Sequence, residues 1–545
     1  MSDDKCRWKS EDYEVTCSEP ILPDDPNSYC ILHSENDDKD LDAFTAKVEV
    51  RLKGTKTEDG EEEIDLRGCY FPENFQDDYF VNYTFDNLVH FTEATFSQKA
   101  TFRSATFSRM ADFDGATFSQ KASFTFATFS QEVCFCEATF SQEAYFFDAT
   151  FSKADFTGAS FTQNADFSDA TFSEEADFSE AEFSEVVDFY KAEFSKVDFS
   201  RTSFSQASFY RVIFSQANFS YAIFSQKVDF FSLFSQEADF SYAKFSKADF
   251  HGTVFGKGAD FSWAEFEDRV SFLPFDKNKV IFGASTSFKY TRFMGDVIFQ
   301  DVDLSQCSFR HSSIDKVDFR YCTFGEKKNH FFRIIRVFLI RPIMKESLGK
   351  EGRLFRVIRT FSRYIWEVSR GKFRRQNVLR DELDCDKMVA KEKDDREEYE
   401  PVRRVYLELK RNLEEKKDWN AAGDFHFGEM ECRRQMKDNR FKRYFFSLEA
   451  IYWLASGYGE RPLRAFLILM GFIFILFPLL YLPSEGWDYF KSLWDSICVG
   501  TLMRLDNPIK GNHDWGKRGV AIFEIIIVPL QIALLALALR RKVKR

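Results

Sequence analysis

The sequence predicts a four-sided β-solenoid followed by α-helical linkers and a two-span α-helical membrane module. Three observations carry this expectation. Phenylalanine returns every five or six residues from Phe91 to Phe324, the composition turns abruptly basic after Glu326, and two long apolar runs lie near the C-terminus.

The phenylalanine period comes first, because a repeat has to be recognised before any helix or strand is assigned. Phe91, Phe96, Phe102, Phe107, Phe113 and Phe118 alternate steps of five and six, and Phe194, Phe199, Phe204, Phe209 and Phe214 keep to five. Five matches neither the helical period of about 3.6 nor the strand period of two. It does suit a square coil, each side a short extended piece ending in a turn. Residues i and i−2 of such a piece share a face, so each Phe points inward together with the small residue two before it. Between them, Asp, Ser, Thr and Asn face water or close the turns. Four sides make a coil of about 20–22 residues. About eleven coils stacked ~4.8 Å apart give a rod of roughly 50–55 Å. The rhythm falters near Phe230, Phe231 and Phe234 and again at 273–281, which predicts bulges or loops there.

The Ala-Asp/Thr-Phe-Ser pattern, as in ATFSQKATFRS and ATFSEEADFSE, resembles the pentapeptide-repeat proteins. That resemblance implies an all-β right-handed quadrilateral β-helix over residues 65–325, and it implies little about function.

Residues 1–40 are acidic and rich in turn formers, but hold Cys6, Cys17, Cys30 and His33. Three thiolates and an imidazole form a complete tetrahedral set for structural zinc, with no position left open for catalysis. A short polar segment buries little core, so a metal would supply its folding energy. The alternative is a disordered acidic tail with unrelated cysteines. Leu41, Phe44, Val48 and Leu52 follow at helical spacing, and residues 41–64 read as a capping helix and linker for the open end of the stack. Cys69, Cys307 and Cys322 stand two before a Phe, in the small inward slot, whereas Cys134 and Cys136 flank Phe135 and point outward.

Past the repeat, Lys327 to Arg380 holds sixteen Lys or Arg against three acids, interleaved with apolar residues. Residues 326–380 therefore read as basic amphipathic helices suited to an anionic membrane surface. Within 381–445, residues 381–399 read as charged linker. Val402, Val405, Leu409 and Leu413, then Ala421, Phe425, Gly428 and Cys432, mark a helical hairpin. His426, Glu429 and Glu431 lie on it, more simply as a solvated face than as metal ligands. The segment LKRNLEEKKDWNAAGDFHFGEMECRR resembles a linker of membrane-bound pentapeptide-repeat proteins.

Residues 446–545 form the membrane module. Ala465 to Leu482 carries no charge and is long enough to cross a bilayer, and Gly519 to Leu539 is a second span holding Glu524 and Gln531. Both outer flanks are basic, which predicts cytoplasmic N- and C-termini on a multi-pass protein of the cell membrane. The aromatic stretch from Trp487 to Thr501 lies between the spans. Span, re-entrant segment, span is similar to the two-span pore module of ion channels, as is the GYGERPLRA lead-in. Of a potassium filter only Val499, Gly500 and Thr501 remain, in the wrong order.

A net charge of −13 argues against a general nucleic-acid binder, and no phosphate loop, nucleophile elbow or HExxH motif marks an enzyme. The expected function is a cytosolic docking or sensing rod, with a possible protein partner, on a pore-like hairpin. A hairpin cannot enclose a pore alone, so a homo-oligomer, by resemblance a tetramer, is required. A membrane-tethered scaffold is the alternative, and a DNA-mimicking topoisomerase inhibitor a remote one.

Overall fold

The structure, a computed structural model, describes residues 5–10, 16–56, 62–276, 281–328, 374–390, 396–437, 447–481, 489–500 and 515–543. The chain divides into two compact units, Met1–Thr323 and Phe324–Arg545.

The first unit is a parallel β-solenoid of about 12 turns. Phe96 pairs with Phe118, Phe118 with Phe140, Phe140 with Phe161 and Phe161 with Phe183, so these coils take 21 or 22 residues. Its inward rings form four separate ladders, one per side. One side runs Phe80, Phe102, Phe124, Phe146, with neighbouring rings parallel and 4.9–5.1 Å apart; Phe85, Phe71 and Phe91 begin the other three. Rings on opposite sides meet edge to face across the axis, as Phe102 and Phe113 do at 5.7 Å, the arrangement the ring quadrupole favours.

The polar residues do their part locally. Asp155, Asp166, Asp177 and Asp198 each accept a hydrogen bond from the backbone N–H two residues on, at 2.7–2.9 Å. These are Asx-turns that bend the chain around Phe156, Phe167, Phe178 and Phe199. Two corners of a typical coil take a left-handed residue, such as Glu137 and Asp148.

Both irregularities resolve within the stack. Phe234, four residues after Phe230, takes the next inward place opposite Phe214, with a register shift where the residue is missing. Phe266 pairs with Phe293, 27 residues on, so that coil carries an insert; it lies between Phe272 and Phe282. Outside the coil, Tyr221, Tyr242, Trp263, Tyr290 and His311 stack into an outer aromatic ladder, their rings 4.3–5.9 Å apart. Sequence reading missed it, having followed only the inward positions.

Helix α1 (Leu41–Leu52) starts at Asp40, whose side chain accepts from the Ala43 N–H. It buries Phe44 against Phe71 and Phe75 of the first coil.

The second unit opens with antiparallel strands Gly325–Lys328 and Arg374–Val378. This corrects the expectation of helix at both ends of 326–380; residues 329–373 lie outside the described ones. Residues 381–390, expected to be linker, lie in helix α2 (Arg380–Ala390). A hairpin of α3 (Tyr399–Glu415) and α4 (Trp419–Gln435) follows. One buried cluster explains why α2 forms. Arg375 donates to both Glu382 oxygens at 2.9 and 2.7 Å, Lys327 reaches the same carboxylate at 2.6 Å, and the Tyr406 hydroxyl completes the set at 2.7 Å. The sequence's acids and bases there are mutual partners rather than a solvated run. Gly428 leaves the room they need, since a Cβ there would lie 2.5 Å from Arg375 Nη2 and from the Tyr406 ring.

Helices α5 (Leu448–Ser456), α6 (Pro462–Tyr481, with a π turn at Phe472–Leu476), α7 (Tyr489–Gly500) and α8 (Trp515–Val543) complete the unit. Leu469, Phe477, Val499, Ala521 and Val528 share one core, joining α6, α7 and α8.

Candidate functional site

The N-terminal cysteines and histidine are brought together. Cys30 Sγ lies 3.2 Å from His33 Nδ1, Cys6 Sγ 3.5 Å from the same nitrogen, and Cys17 Sγ 3.8 Å from Cys30 Sγ. All four ligand atoms fall within 4.8 Å of one another. Two narrow bridges, Lys5 to Pro20 and Lys9 to Thr16, bring Cys6 and Cys17 close, and a turn carries Cys30 to His33, whose N–H donates to the Cys30 carbonyl at 3.1 Å.

The electrostatics favour a thiolate at Cys30. The hydrogen bond from Cys17 holds the Cys30 thiol down at about 3, while the same bond pushes Cys17 up. Burial pulls His33 down, but its bonds to Cys30 and Cys6 outweigh that and set it at about 9. His33 Nε2 meets the Arg67 carbonyl at 3.0 Å, and the Trp8 ring stacks on the imidazole at 4.4 Å. The four side chains can hold one tetrahedral ion.

Cys69 and Cys307 are fully buried in the coil. Cys134 and Cys136 are joined to each other across Phe135 by a disulfide. On α4, Glu429 pairs with Lys410 and His426, and Glu431 with Arg434.

In the helical unit, Glu524 is fully buried. Its carboxylate accepts from the Tyr481 hydroxyl at 2.9 Å and the Ser496 hydroxyl at 2.7 Å. It therefore fastens α7 and the end of α6 to α8. Neither partner was singled out from the sequence, where Ser496 is one hydroxyl in an apolar run. Gln531 donates to the Ala455 and Ala465 carbonyls at 2.8 and 2.9 Å, tying α8 to the start of α6. Val499 is buried on α7, Gly500 ends that helix, and Thr501 lies outside the described residues.

Family models described as Pentapeptide repeats (9 copies) and Pentapeptide repeats (8 copies) match residues 80–128, 146–193 and 156–203, and residues 188–226 and 236–268. Eleven chains of solved structures match. One is a trypsin-treated form of QnrB1, a plasmid-mediated fluoroquinolone resistance protein, 16% identical over 40% of this chain and 91% of that one, with a TM-score of 0.17. No curated protein matches.

Proposed function

The solenoid being an array of pentapeptide repeats, we propose that the chain is a non-enzymatic membrane protein, a docking rod attached to a two-span module with the plan of one pore subunit. The observation that carries the membrane part is exposure. The helices Pro462–Tyr481 and Gly519–Arg540 are long and apolar enough to cross a bilayer, yet only 28% and 22% of their apolar windows are buried. Leu463, Phe466, Ile475, Ile522, Ile526 and Leu530 all point outward. Apolar surface of that extent needs lipid or protein against it.

The pore part is supported by α7, a short helix packed between two spans, and the reading requires an oligomer with cytoplasmic termini. The docking part is supported by the outer aromatic ladder, since the same corner carries Glu93, Gly115, Glu137, Gly158, Glu180 and Arg201 in earlier coils and so needs no aromatic residue. A scaffold with the hairpin as anchor is the second reading. It is favoured by Glu524, whose hydrogen bonds are met within its own chain.

Cross-linking in native membranes and ion flux in liposomes decide between them. Tetramers with cation flux support the pore. Monomers without flux at any voltage or ionic condition leave the tethered scaffold, and recovery of the chain in the soluble fraction removes both readings.

A further inference from the structure

We propose that Cys6, Cys17, Cys30 and His33 bind one Zn²⁺, and that this ion staples the N-terminal segment to the first coil and its capping helix. The ligand spacing is close to that of a loaded site. Zinc bonds of about 2.3 Å to sulfur and 2.0–2.1 Å to nitrogen set tetrahedral edges of roughly 3.5–3.8 Å; three of the six separations here are 3.2, 3.5 and 3.8 Å, and all lie within 4.8 Å. The surroundings are those of metal ligands. His33 presents Nδ1 to the thiols and turns Nε2 to the Arg67 carbonyl at 3.0 Å, the outer contact that fixes tautomer and ring orientation in metal-bound histidine. Backbone N–H groups of Cys30 and Glu19 donate to Cys6 Sγ at 3.1 Å and Cys17 Sγ at 3.4 Å, which stabilises thiolate charge. Three sulfurs and one nitrogen in a closed tetrahedron select zinc over the oxygen-seeking cations.

The mechanical role follows from what surrounds the cluster. Its segment has little core of its own, with Cys6, Cys30 and Leu32 as its buried hydrophobic residues among those described. Its contacts run to the solenoid. The Tyr70 N–H donates to the Leu32 carbonyl at 2.8 Å, and Trp8 lies so close over Gly68 that a Cβ there would fall 2.1 Å from the indole. Glu19 pairs with Lys47 and Arg51 of α1 at 2.6 and 3.0 Å. The ion thus supplies the rigidity that the segment's own packing does not. Protons still held on the sulfurs and on the imidazole nitrogen are released on binding, and the ion replaces the sulfur and imidazole hydrogen bonds.

The test uses the full chain purified in detergent under reducing conditions. Elemental analysis should give one zinc per chain. Co²⁺ exchanged into the site should show tetrahedral d–d absorption with a thiolate charge-transfer band. Cys30→Ser and His33→Ala should each lose the metal, whereas Cys69→Ser, a buried cysteine outside the set, should keep it. Chelation of the unaltered chain should expose the N-terminal segment to protease while the repeat region stays protected. Substoichiometric zinc together with no cobalt–thiolate band overturns the site, as does full zinc retention in a folded Cys30→Ser/His33→Ala protein. Unchanged protection after the zinc is removed overturns the staple.

Discussion

At the scale of single residues, the inward phenylalanine decides stability, because a ring inside the stack is packed above and below by the same residue of the neighbouring coils. Phe172 stacks between Phe151 and Phe194 at 4.7 and 4.6 Å and is 1% exposed. Phe172→Ala should cost about 3–5 kcal/mol through lost burial and the cavity left in a stack that cannot close around it. Ser173, the next residue, faces solvent, and Ser173→Ala should stay within about 0.5 kcal/mol. Denaturant midpoints of the two variants measure this, and equal losses would contradict the inward register. The small slot two before each Phe obeys the same geometry. Ala170 is fully buried there, Val187 and Cys69 replace alanine without exposure, and the phenylalanine period alone made that slot legible.

At the scale of elements, the coil's outer face and the helical unit's polar core carry the predictions. Tyr221, Tyr242, Trp263 and Tyr290 are 38–51% exposed although they stack on one another. They also hold the left-handed conformation that large side chains disfavour. A photo-cross-linking residue at 263 should give a discrete protein adduct in native membranes, whereas one at 180, on the same corner of an earlier coil, should not. Equal labelling at both would remove the ladder from docking. In the helical unit, burial pushes the Glu382 carboxyl up from 4.5, but Arg375 and Lys327 outweigh it and hold it at about 2. A depressed folded pKa means stability that is present above the ordinary carboxylate range and lost as pH falls through 4.5 towards 2. The contribution is about 3 kcal/mol at neutral pH. Glu382→Gln should lower the stability of the helical unit at pH 7 and flatten its loss in that window, as followed by unfolding at a series of pH values. An unchanged acid profile would show that the cluster does not govern it. Charged residues at 381–390 looked like linker because sequence shows charge without its partners. Only folding reveals that Lys327 and Arg375 meet Glu382.

For the whole molecule, the question is what the apolar helices serve, and Glu524 discriminates. In a conducting oligomer, Glu524→Gln should lower conductance or cation preference. In an anchor, it should leave flux absent and ease insertion by removing a charge from the apolar layer. Liposome flux of both proteins reads the difference, and unchanged cation conduction in the variant would remove Glu524 from any pore. Sequence by itself determined the repeat unit, the inward register, the turn chemistry and the two apolar runs, because each is a local pattern set by side-chain periodicity and length. Tertiary structure decided the rest, because each remaining feature joins residues that are far apart along the chain. Cys6 and His33 converge although 27 residues separate them. Glu524 closes on Tyr481 43 residues away. Tyr221 to His311 align only because coils of 20–22 residues, and one of 27, stack in register.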